Sequence, residues 1–107
     1  MSYDVYVNCH TCGSDLIRPS GCNNMTSNLS KMWTEAGAPL RDFKGKQALE
    51  VLPLLQQAVD RLKDDPFYYR TLEPDNGWGN YDNCVEFLER ILAACARDPL
   101  ARLVVSH

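Results

Sequence analysis

The sequence has little of what most enzymes display. Histidine occurs twice, at positions 10 and 107. There is no G-x-S-x-G elbow, no H-E-x-x-H helix, no P-loop and no G-x-G-x-x-G turn, so those nucleophile, metal and phosphate chemistries have no foothold. Asp64, Asp65 and Asp75 are better explained as caps and turns than as an acid/base pair. An excess of positive charge is also missing. Eleven Lys and Arg face fourteen Asp and Glu, a formal net charge of -3, which excludes nucleic-acid binding driven by bulk electrostatics. The Arg41, Lys44 and Lys46 cluster reads as a solvated approach to a helix. No apolar run reaches the roughly 18 residues of a membrane span. MSYDVYVNCH lacks the charged and apolar regions of a secretion signal. The expected location is therefore the cytoplasm, without membrane contact.

The 107 residues, 45% hydrophobic and 23% charged, suit one globular domain spanning 1–107. The cysteine count is five, an odd number, which points to reduced thiols in a cytosol. Tyr3, Val5 and Val7 alternate with Asp4 and Tyr6, the pattern of a half-buried strand. A tight turn at Cys9–Gly13 is expected to return through residues 14–18 as a short second strand. Leu29, Met32, Trp33 and Ala36 then mark an amphipathic helix from about Asn28, stopped by Gly37. Leu49, Leu52, Leu55, Val59 and Leu62 mark a main helix over 46–63, with Pro53 expected to kink or restart it. Asp65-Pro66 opens a short helix, and residues 81–97 form the last, with Cys84 and Cys95 on its apolar face. Ala101 to Val105 closes the chain as a strand. The expected fold is α+β: a small antiparallel sheet, made of an N-terminal hairpin plus the C-terminal strand, packed against three to four helices.

Three stretches carry candidate chemistry. Cys9-His10-Thr11-Cys12-Gly13 has half of a zinc-knuckle spacing, with Cys22 as a third thiolate and His10, Asp or Asn as a fourth donor. The competing readings are a plain reduced turn and, in a context that suits it poorly, a redox pair. Asn23 to Asn28 places amides and hydroxyls before a helix start, as helix caps or as a polar grip on a ligand. Within PDNGWGNY, Trp78 is either a plug between helices or, with Asn76, Asn80 and Tyr81, a stacking surface.

The pieces CHTCG, NNMTSNLSKMW with EAG behind it, DDPFYYRTLEPDNGWGNY and FLERILAACARDPLARLVVS together resemble a family of small proteins of bacteriophage and bacterial genomes. Its pattern is a CPxCG turn, an N-x-T-x-N-[LV] segment and an NGWG-x-Y loop, and His10 stands here where proline is usual. The resemblance implies a genomic setting rather than a reaction. It points to the two polar loops, and so to Asn24, Thr26, Asn28, Asn76, Trp78 and Tyr81 as a ligand- or partner-binding set. The leading expectation is a non-catalytic phage-type protein that interferes with a host process such as antiviral defence, by binding a host protein or sequestering a nucleotide-like signal. The alternatives are a zinc-knuckle scaffold, with Cys9, Cys12 and Cys22 as ligands, and an enzyme using Asp or Cys chemistry in the loop pocket.

Overall fold

In a computed structural model of the chain, residues 2–17, 24–74 and 80–107 are described. Strand β1, Ser2–Asn8, buries Tyr3, Val5 and Val7 and turns Asp4 and Tyr6 outward, as the alternation requires. It is the centre of a three-stranded antiparallel sheet of order β2-β1-β3, where β2 is Asn24–Thr26 and β3 is Arg102–Ser106. In the β3 pairing Val5 faces Val105 and Asn8 faces Arg102. In the β2 pairing Asp4 faces Asn24.

The return arm of the hairpin does not become a strand. It makes one bridge, Asn8 to Asp15, closed by backbone bonds from the Leu16 N–H to the Val7 carbonyl and from the Cys9 N–H to the Ser14 carbonyl, each 2.8 Å. Asp15 itself prevents extension, because its carboxylate accepts the N–H groups of Val7 and Ile17 at 3.3 and 3.0 Å in place of a ladder. The strand beside β1 comes instead from the polar Asn24–Thr26 stretch.

Helices α1 (Ser30–Ala36), α2 (Ala48–Asp64), α3 (Pro66–Arg70) and α4 (Tyr81–Arg97) supply the other layer. Gly37 ends α1 at φ 108°, donating to the Thr34 carbonyl at 3.0 Å, while Ala38 donates to Trp33 at 2.9 Å. That left-handed turn favours glycine. The α2 helix is continuous through Pro53, so no second helix starts there. Its buried face is Ala48, Val51, Leu55, Ala58, Val59 and Leu62, while Leu49 stays 46% exposed. The first turn is fixed by backbone bonds from Ala48 to the Ala101 carbonyl and from Leu49 to that of Pro99, each 2.8 Å. Asp65 caps α3 by accepting the Tyr68 N–H, and Asn80 caps α4 by accepting the Asn83 N–H at 2.9 Å, as expected from their positions.

Trp33 joins the layers. It is 1% exposed, meets Tyr3 of β1 edge-on at 5.0 Å between ring centroids, and lies 5.8 Å from Phe87 of α4. Cys84 and Cys95 are fully buried in the same core.

Candidate functional site

The described residues concentrate their chemistry at one corner, where the turn after β1 meets the C-terminal end of α4. The turn is built by two backbone bonds, Gly13 N–H to the Cys9 carbonyl at 2.9 Å and Cys9 N–H to the Ser14 carbonyl at 2.8 Å. Gly13 adopts φ 74° to close it, a conformation glycine takes without penalty. Asp98, the C-cap of α4, then reaches across 88 residues of sequence to hold the turn. Its carboxylate accepts the His10 backbone N–H at 2.8 Å and lies 2.7 and 2.8 Å from His10 Nδ1. It also accepts the Leu100 N–H at 3.2 Å, so one side chain ties the hairpin, α4 and the lead into β3. Arg97 adds a bond to the Leu16 carbonyl at 3.2 Å.

The Asp98 side chain is only 12% exposed, and the His10 backbone N–H, then its ring, hold the carboxyl below its usual range. The folded-state value is depressed, so the clamp stabilises fully above the ordinary carboxylate range and is lost as pH falls through the lower folded value. Cys9 Sγ, a ring nitrogen of His10 and a carboxylate oxygen of Asp98 all lie within 4.8 Å of one another.

The four described cysteines divide sharply. Cys12 is exposed and its thiol is brought down to about 7 by the Ser14 hydroxyl, then the Ser14 backbone, then Cys9. Burial pushes the thiols of Cys84 and Cys95 up to about 12. The thiolate is the reactive form. Iodoacetamide at pH 8 is therefore expected to label Cys12 and to leave Cys84 and Cys95 unmodified until denaturant is added, as read by peptide mass mapping.

Beside the clamp, Leu16 and one face of α4 enclose an open groove of about 360 Å³. Leu16, Ala93 and Ala94 line it together with Glu86, Glu89, Arg90 and Arg97. Glu86 is paired with Arg90 at 3.9 Å and Glu89 with Lys63 at 2.9 Å.

Of the six residues expected to form a loop-pair site, Asn24, Thr26, Asn28 and Tyr81 fall among the described residues. Asn24 lies on β2, its amide donating to Ser2 Oγ at 3.1 Å and Asp4 Oδ1 at 2.7 Å. The backbone of Thr26 pairs with Ser2, and Asn28 sits exposed in the short 3-10 turn before α1. Tyr81 opens α4 and is buried, its hydroxyl donating to the Leu62 carbonyl and its ring lying 4.6 Å beneath the Arg70 guanidinium. The polar groups of Asn24 and Tyr81 are thus engaged within the chain. Asn76 and Trp78 lie outside the described residues, as does Cys22, so the meeting of the two loops is not described either.

Asp98 and Arg97 are the functional candidates that sequence reasoning missed. Asp98-Pro99 reads as a helix terminator, and nothing local shows its second partner. The available signal was the pairing of the terminal strands, since a register that sets Asn8 against Arg102 brings the residues just after the one toward those just before the other. No protein-family model, curated protein or solved structure matches this chain.

Proposed function

We propose that this chain is a non-catalytic binding protein whose binding surface is the groove between the hairpin and α4. The groove carries the reading: a pocket of about 360 Å³ with a Leu16, Ala93 and Ala94 lining and two guanidinium groups, Arg90 and Arg97, on one helix. Apolar lining with a few charged groups is the usual composition of a ligand site. Its two glutamates are each paired with a cation, which leaves the Arg97 edge for an anionic group. An acidic side chain of a host protein and a nucleotide-like signal both fit that description. The resemblance to small phage and bacterial proteins supports interference with a host process, antiviral defence included, as the setting.

Ala93 is exposed and stands in the groove, so Ala93→Trp fills it without touching the core. Surface changes of this kind shift stability by no more than about 0.5 kcal/mol. Immobilised wild-type protein and the variant are exposed to the same host lysate, and bound proteins and small molecules are compared by mass spectrometry. The species retained by the wild type is expected to fall about tenfold or more on the variant, a loss of roughly 1.4 kcal/mol or more. Equal retention by a variant with an unchanged melting temperature would show that the groove does not bind it.

A further inference from the structure

We infer that the Cys9, His10 and Asp98 cluster binds one zinc ion, with Cys12 turning in as the fourth ligand. This site is separate from the groove and stands whatever the groove holds. Three features support it.

First, the donor set fits. A thiolate, an imidazole and a carboxylate with a second thiolate is a combination zinc accepts in tetrahedral geometry, whereas calcium and magnesium require oxygen ligands. Second, the spacing fits. Ligand atoms around a tetrahedral zinc lie roughly 3.3–3.8 Å apart, given bonds of about 2.0–2.3 Å. Cys9 Sγ, the His10 ring nitrogen and the Asp98 oxygen already lie within 4.8 Å of one another. The widest pair must close by at most about 1 Å and the short His10 to Asp98 contact must open, both within reach of side-chain rotation on an exposed turn. The His10 Nδ1 to Asp98 contact of 2.7 Å is exchanged for bonds to the ion, with release of any proton the ligands carry, as metal binding requires.

Third, the turn presents the second sulfur. Cys12 follows Cys9 across a turn closed by Gly13, and its exposed sulfur is held by the Ser14 hydroxyl at 3.4 Å. Rotation about the Cys12 side chain breaks one weak contact and brings its sulfur to the ion. Cys22, the third thiolate proposed from spacing, is not required, because Asp98 supplies the ligand from the far end of the chain. Zinc at this position would link the hairpin to α4 across 88 residues, so binding must stabilise the fold by mass action.

The test uses the full chain, stripped with chelator under reducing conditions and titrated with zinc chloride, then with cobalt chloride as a spectroscopic probe. Zinc is expected to bind one ion per chain with a Kd below about 1 µM and to raise the melting temperature. Cobalt is expected to give the intense visible bands of tetrahedral coordination and the near-ultraviolet band of thiolate ligation. Asp98→Asn keeps an acceptor for the His10 N–H, and Cys12→Ser leaves the turn intact. Each should weaken zinc binding at least about tenfold. Overturning results are a wild-type cobalt spectrum that is pale and lacks the thiolate band, or zinc binding unchanged in both variants. The first is read on the wild type alone, so it decides the matter even if a variant fails to fold.

Discussion

Trp33→Ala is expected to cost about 3–5 kcal/mol of stability, the usual range for a buried large aromatic truncated in a core. Trp33 is 1% exposed and is in ring contact with both β1, through Tyr3 at 5.0 Å, and α4, through Phe87 at 5.8 Å. Removing the indole leaves a void bounded by sheet and helix elements that are fixed by their own hydrogen bonds, so little collapse can fill it. A domain of this size has roughly 5–15 kcal/mol in total, and the variant therefore sits near the edge of folding. Urea denaturation followed by circular dichroism measures it. Trp33→Phe should recover part of the loss, because it restores an edge for Tyr3 while still leaving space. A loss under about 1 kcal/mol for the alanine variant would mean that Trp33 does not connect the layers.

Asp98→Ala is expected to release the hairpin turn while leaving the helical core folded. The carboxylate accepts from the His10 backbone, contacts the His10 ring and accepts from Leu100. Alanine removes all three and leaves the His10 and Leu100 N–H groups to water. Arg97 still holds the Leu16 carbonyl at 3.2 Å, so the return arm keeps an attachment to α4 besides its bonds to β1, and the damage concentrates on residues 9–13. The core is not involved, since Leu55 and Leu62 of α2 and Leu88 and Ile91 of α4 are fully buried, whereas Asp98 follows the end of α4. Local opening of this kind is separable from global unfolding.

Much of the fold was legible because its signals are local and periodic. The period-two run of Tyr3, Val5 and Val7 gave β1, Asp65-Pro66 placed α3, and the apolar stripe of residues 81–97 placed α4. The Gly37 stop was legible for the same reason. The hairpin partner was not. Asn24 and Thr26 are residue types common at caps, Met25 packs against the core from this edge strand, and three residues are too short to show alternation. Leu55, Val59 and Leu62 of α2 are buried as read, but its first turn was read one position off. Leu49 looks apolar by periodicity, yet the first turn is oriented by backbone bonds to Pro99 and Ala101, and these turn Val51 inward instead. For the site, Cys9, His10 and Cys12 were visible as a spacing, but Asp98 was not. Its role depends on the register of strands at opposite ends of the chain, and a contact 88 residues long leaves no pattern in a single sequence.

Hydrogen exchange at the His10 amide tests most directly whether α4 and the hairpin form one site. In the wild type this N–H donates to Asp98 at 2.8 Å, so it should exchange slowly although it lies on an exposed turn. In Asp98→Ala it should exchange faster by on the order of tenfold or more, while the amides of β1 and α4 keep their protection. An amide at His10 that exchanges at the same rate in both proteins would contradict the clamp, and with it the corner on which the proposed zinc site is built.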